Sequence, residues 1–230
     1  MGLKLPQSVP LNWYQYDVSF SIELMKGYIE SVEKQVDESI SRYKEEKEEV
    51  VLEEIQEEGY VRAVEYFRGL DDETWDLDGI FGEYFPSLQR RSALVTLFSF
   101  FENELNRLCN LYQSHKAIKV SFKDLNGQGI DRAVLYLDKA VDLNVQKQSA
   151  EWAEIKNIQK VRNLIIHLDG NLISIDGKPK KDEQNYVKQH QNLNGEKEIV
   201  ILDGYLQHVL NTIHKYFKML SVEIERKENA

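Results

Sequence analysis

The chain has 230 residues, 42% of them hydrophobic, one cysteine and a net charge of −10. That length buries a sizeable core, as one large domain or as one domain with a substantial extension, and the lone Cys109 excludes an internal disulfide and a cysteine zinc site. The longest apolar run, Leu94 to Phe101, is far short of a membrane span and the start lacks a signal-peptide pattern, so a soluble, cytoplasmic protein is expected.

In chain order, Phe20, Leu24, Tyr28, Val32, Val36, Ile40 and Tyr43 recur every three or four residues. This spacing predicts one long amphipathic helix from about Asp17, continuing through Val51 and Ile55. The glutamate-dominated stretch Lys44 to Glu58 reads as its solvated face. A break is expected at Gly59 or Gly69. Gly69 to Pro86, with six acidic residues, Trp75 and Phe81, reads as an irregular connection that packs its aromatics on the core. The preferred internal boundary lies there, dividing an acidic helical region, 1–86, from a helical bundle, 87–230.

Ser87 is expected to cap a second helix with the buried stripe Leu94, Phe98, Phe101, Leu105, Leu108 and Tyr112. Glu102 sits at the edge of that stripe, where a carboxylate wants a partner. It reads either as a rim residue or as support for Arg162. Asn126-Gly127 marks a turn before a third helix, Gly129 to Leu143, and a fourth runs from Ser149 to a stop at Gly170. Asn171 to Ile175 and Glu198 to Leu202 read as two short strands around a polar loop, Gly177 to Lys197, whose Lys178, Lys180, Lys181 and Lys188 could meet RNA phosphates or simply face solvent. A final helix carries Leu206, Val209, Leu210, Ile213, Phe217, Leu220 and Ile224. His208 and His214 belong to no His-x-x-x-His pair or carboxylate-supported metal set, so both are expected to be structural or surface residues. The predicted fold class is therefore all-α, a helical bundle with a small β-hairpin before the last helix.

Charge is uneven. Residues 1–90 hold 9 basic against 21 acidic residues, a net of −12, while the remainder holds 20 against 18, a net of +2. The acidic half is expected to face solvent or a basic partner. The near-neutral half permits a local RNA contact without predicting general nucleic-acid affinity.

That half carries Val161-Arg162-Asn163-Leu164-Ile165-Ile166-His167 at the end of the fourth helix. An arginine can bind a phosphate and balance charge developing on it, and a histidine can move the proton of a ribose 2′-hydroxyl. The same residues could also make capping and buried hydrogen bonds. On an ideal helix Asn163 and His167 share a face, whereas Arg162 lies about 140° from His167. Convergence then requires that the helix loosen, that Arg162 reach round, or that a second subunit complete the site. No Gly-rich phosphate loop, nucleophile elbow or zinc signature occurs, and no metal or cofactor is expected.

The order of elements from Arg90 to Tyr216, with Phe101-Glu102-Asn103-Glu104-Leu105-Asn106, Gly129-Ile130-Asp131-Arg132-Ala133 and the Arg162-to-His167 motif, resembles the HEPN domains. The resemblance covers roughly the last 130 residues and rests most on that motif, an arginine and a histidine separated by four residues. It implies a dimeric all-α bundle in which motifs from two subunits face across a cleft and cut RNA without metal. In that picture Arg162 binds the scissile phosphate, Asn163 orients the backbone or the arginine, and His167 shuttles the proton. Such proteins often act as toxins or abortive-infection effectors in antiviral defence, with an antitoxin or sensor protein as partner. Position 169 is Asp where a family variant has tyrosine, and the region before residue 90 has no generic counterpart. A non-catalytic module that dimerises or binds a nucleotide or protein is the alternative.

Overall fold

The computed structural model describes residues 9–55 and 60–229. Its frame is helical: α1 (Ser19–Glu46), α2 (Phe85–His115), α3 (Gly129–Lys139), α4 (Ala150–Leu168), α5 (Lys181–Gln189) and α6 (Tyr205–Glu228). Two small antiparallel sheets interrupt it, β1–β2–β3 (Glu48–Ile55, Tyr60–Phe67, Leu70–Asp71) and β4–β5 (Leu193–Asn194, Val200–Ile201). The second sheet is a small β insertion before the last helix, where a hairpin is expected, but its first strand is not the expected one. No helix among the described residues is long and apolar enough to cross a membrane.

α2 is the central rod, packed by α1, α3, α4 and α6. Its expected stripe, Leu94 to Tyr112, is buried, and so are the seven apolar positions of the α6 stripe. The core continues across position 86, because Trp13, Val18, Ile22, Ile29 and Val32 join the same cluster and Trp13 meets Phe217 edge to face at 5.3 Å. The long front helix therefore lies on the bundle. Its first two predicted core positions do not: Phe20 is 66% exposed and Leu24 54%, with Ile22 and Ile29 buried instead. A strict four-residue step drifts about 40° round the helix each time, so stepping back from Val32 to Leu24 and Phe20 walks off the buried face, which follows Ile22, Ile29, Val32, Val36 and Tyr43.

The predicted continuation of α1 through Val51 and Ile55 is incorrect. The helix ends at Glu46, with Lys47 extended, and Glu48–Ile55 is a strand paired from Glu48 opposite Tyr66 to Ile55 opposite Tyr60. The reading of Lys44 to Glu58 as a solvated helix face therefore fails from Glu48 to Ile55, and Gln56–Gly59 lies outside the described residues. Consecutive Val50 and Val51 favour a pleated strand once a partner rich in valine and aromatics folds back. Gly69 is indeed a break. Arg68 and Gly69 both have positive φ, as a two-residue hairpin turn requires, and they connect Phe67 to Leu70.

The segment after Gly69 forms β3 and a π-helical turn, Gly79–Tyr84. Phe81 packs on Tyr43 and Phe67 in a satellite core with Leu77, while Trp75 is half exposed and does not join the main core. Ser87 is no cap: it lies inside α2, buried, and its Oγ accepts the Ile201 N–H at 3.1 Å. α3 stops at Lys139 rather than Leu143. The expected polar loop Gly177 to Lys197 contains α5 and β4, because Tyr186 and Val187 give it an apolar side that packs toward α4. Asn171 bridges only to Glu198, so the strand paired with β5 is β4 and not the segment Asn171 to Ile175.

Two adjacent arginines of α2 lock these parts together. Arg90 makes a two-pronged pair with Glu33 of α1, at 2.7–3.1 Å, and donates to Ile201 O at 3.4 Å. Arg91, 3% exposed, donates to Glu198 Oε1 at 2.7 Å, to Ile199 O, and to Asp169 O at 3.3 Å. One guanidinium thus ties the end of α4 to the strand region. Arg91→Ala leaves a buried carbonyl without its donor and should lower stability by about 3 kcal/mol, read as a shift in the urea midpoint.

At the other end, the Tyr14 hydroxyl lies 2.6 Å from His214 Nε2 of α6. Burial, then the charges of Lys218 and Lys26, hold this imidazole below its ordinary value of 6.5, against an opposing pull from Glu23. The unfolded chain then takes up a proton first, so this contribution to stability is full above about 6.5 and is lost as the pH falls through the folded value. Thermal melts should show a shallower decline on acidification for His214→Gln than for the parent.

Candidate functional site

α4 is capped at its start by Ser149, whose Oγ accepts the Trp152 N–H, and it stays helical through Leu168. It ends on Asp169 and Gly170, both with positive φ, and Gly170 N–H returns to Leu164 O. A side chain at Gly170 would put its Cβ 2.9 Å from the Arg91 guanidinium carbon. The close approach of Arg91 thus requires glycine where the motif helix stops.

Arg162, Asn163 and His167 line one cleft of about 270 Å³ together with Glu102, Phe98, Gln128, Gly129 and Gln159. The helix does not loosen before His167. Arg162 reaches round instead: its Nη1 donates to Asn163 Oδ1 at 3.0 Å, and its guanidinium carbon stands 5.7 Å from the centre of the Phe98 ring. That arrangement brings the two sides of the ideal-helix problem into one opening within a single chain. Arg162 and Asn163 are half buried, whereas His167 is exposed. Among the described residues, Arg162 Nε is buried without a hydrogen-bond partner.

Glu102 is half buried in the same cleft but forms no ion pair with Arg162 among the described residues; its carboxylate lies 3.5–3.7 Å from where a Cβ on Gly129 would stand. Lys178, Lys180 and Lys181 do not line the cleft. Lys178 pairs with Asp176 at 2.8 Å, and Lys180 and Lys181 form the start of α5. His167 also borders a shallow hollow formed by Leu168, Asn171, Ile173, Ser174 and Ile175. Ile166 and Ile173 are exposed beside it, and Ile175 is 95% exposed.

Sequence reasoning missed Phe98 as a platform and Gln159 as a neighbour. Gln159 had a usable signal, since it precedes Arg162 by three and Asn163 by four residues on the same helix. The expectation for His208 needs correction. Its Nε2 lies 2.8 Å from Glu154 Oε1, and its ring meets that of His190 at 4.6 Å between centroids, so a carboxylate and two imidazoles do converge. Burial alone would push the Glu154 carboxyl up, but hydrogen bonds from His208, Tyr186 and Asn157 outweigh it and hold it at about 2. Burial, then the neighbouring His208, holds the His190 imidazole down. Only residues distant in sequence form this cluster, which is why spacing did not reveal it. Burial pushes the Cys109 thiol up to about 12, which makes it a core residue and no nucleophile.

No protein family, curated protein or solved structure matches this chain.

Gly129, at φ +55, opens α3 beside Glu102. Gly129→Ala should cost about 1–2 kcal/mol for the left-handed backbone. The same change at exposed Gly27, within α1 and with nothing within 4 Å of where a Cβ would stand, should stabilise by about 1 kcal/mol. Urea denaturation of the two variants should move in opposite directions.

Proposed function

We propose that this protein is a metal-independent endoribonuclease of the HEPN type that cleaves RNA by 2′-hydroxyl transesterification. The observation that carries the reading is the convergence of Arg162, Asn163 and His167 on one open cleft at the end of α4. A phosphate entering that cleft meets a guanidinium held by one side-chain hydrogen bond among the described residues, from Nη1 to Asn163, so donors of its terminal nitrogens remain for the phosphate. Asn163 orients Arg162 through that bond, and the Phe98 ring beneath limits its swing.

The His167 imidazole takes the proton of the 2′-hydroxyl, and the freed oxygen attacks the adjacent phosphorus. Arg162 balances the charge gathering on the non-bridging oxygens. The phosphorus to 5′-oxygen bond breaks, and the leaving oxygen receives a proton from a second His167, supplied in its imidazolium form by another copy of the chain. The products are a 2′,3′-cyclic phosphate and a 5′-hydroxyl. Exposed Ile166, Ile173 and Ile175 beside His167 supply apolar surface on which such a homodimer can form. Lys178, Lys180 and Lys181 extend the phosphate contacts along the RNA. A toxin or phage-defence role, held in check by an antitoxin or sensor protein, fits an enzyme of this chemistry.

Purified protein should cut a mixed single-stranded and tRNA substrate in EDTA and leave cyclic phosphate ends. His167→Ala should slow cleavage about 10²–10⁴-fold and Arg162→Ala about 10²–10³-fold, with circular dichroism unchanged. Absence of cleavage by the parent chain would sink the enzymatic reading in favour of a module that binds a nucleotide or a protein.

A further inference from the structure

A second constellation lies on another part of α4. Glu154 projects from the second turn of that helix, His190 follows the last residue of α5, and His208 stands in the first turn of α6. All three side chains are half buried, and one ligand atom from each lies within 4.8 Å of the other two. The sequence separates these residues by 36 and 18 positions, so only the packing of α6 and of α5 against α4 brings them together.

The contacts within the cluster leave one member poorly satisfied. Glu154 Oε1 is engaged by His208 Nε2 at 2.8 Å and by the Tyr186 hydroxyl at 2.5 Å. Its Oε2 has only a long 3.4 Å contact from the Asn157 amide. His190 faces His208 at a ring angle of 72° without a hydrogen bond between them, and among the described residues its ring makes one hydrogen bond, a 3.2 Å one from the Asn192 N–H to Nδ1. A hydrogen-bonded Glu–His pair needs one imidazole. The second imidazole adds no hydrogen bond to that pair, and a cation, bound through a deprotonated nitrogen of each ring, gives the carboxylate and both imidazoles a common partner.

We infer that Glu154, His190 and His208 form a binding site for a divalent transition-metal ion of the zinc class, with a coordination position left open to water. Two imidazoles and one carboxylate are a ligand set that suits such ions. Metal–ligand bonds of about 2.0–2.1 Å place tetrahedral ligands roughly 3.3 Å apart. The Glu154–His208 pair is already near that spacing, and rotation of the half-exposed His190 ring by a displacement on the order of 1 Å closes the third side. Tyr186, anchored in α5 and bonded to the Glu154 carboxylate, orients that ligand from outside the coordination sphere. The bound ion would staple the end of α5 to α4 and α6.

The test is Zn2+ titration of the untagged, chelator-washed full chain by calorimetry, with Co2+ absorption to read the coordination geometry and thermal melts to read the staple. One ion per chain, visible d–d bands and a raised melting midpoint are expected. His190→Ala and His208→Ala should lose stoichiometric binding, Tyr186→Phe should weaken it about 10–100-fold, and His167→Ala should bind like the parent. No stoichiometric uptake by the parent, or uptake that persists in the His190 and His208 variants, overturns the site. If His208→Ala fails to fold, His190→Ala, changed at the partly exposed end of α5, decides alone. RNA cleavage in chelator addresses the Arg162 cleft only, so the two proposals stand or fall separately.

Discussion

The position of the Arg162 cleft depends on a guanidinium that never enters it. Arg91 projects from the central helix and binds the end of α4 through Asp169, and the strand region through Glu198 and Ile199, at a place where only glycine leaves it room. Both terminal nitrogens of this buried guanidinium are bonded, to acceptors from segments far apart in the chain, while its Nε is buried without a partner among the described residues. Its neighbour Arg90 performs the corresponding task for α1 through Glu33. Arg91 thus holds the end of α4 against α2, on which Glu102 also stands, and so bears on where Arg162, Asn163 and His167 sit relative to Glu102. Hydrophobic burial makes the bundle compact, and these two polar anchors give it one register.

The helices and their core stripes were legible because apolar positions repeated with the helical period over many turns. Leu94 to Tyr112 and Leu206 to Ile224 are buried as their spacing demands. Local ambiguity defeated the reading elsewhere. Val50 and Val51 fit the continuing helical spacing of α1, and only their pairing with the strand Tyr60–Phe67 decides against it. α5 is short and polar, and its one buried side chain, Val187, is too little periodicity to announce a helix. At Phe20 and Leu24 a strict four-residue spacing was present, but it drifts round the helix by about 40° per step and so leaves the buried face.

The cleft was partly legible for a different reason. Its principal residues fall within six positions of one helix, so spacing carried the information, but the angular separation of Arg162 from His167 left three routes to convergence. A long side chain held by Asn163 over Phe98 is the route within a single chain. The Glu154, His190 and His208 grouping had no such local trace. It arises from how three helix ends meet, and sequence periodicity does not encode that meeting.

The front half's acidity gains a meaning from the sheet it contains. β1 is an outer strand, paired on one side with β2, and Val50, Val51 and Leu52 on it are largely exposed. An open backbone edge bearing aliphatic side chains is a template for adding another strand from another molecule. Glu48 and Glu49 stand on that same strand, within a region of net charge −12 made by 9 basic and 21 acidic residues over positions 1–90. Like charges meeting edge to edge repel, so the carboxylates oppose such strand addition between copies of the chain. Protonation or concentrated salt weakens that repulsion while leaving the strand edge in place, which makes the excess of glutamate a colloidal safeguard.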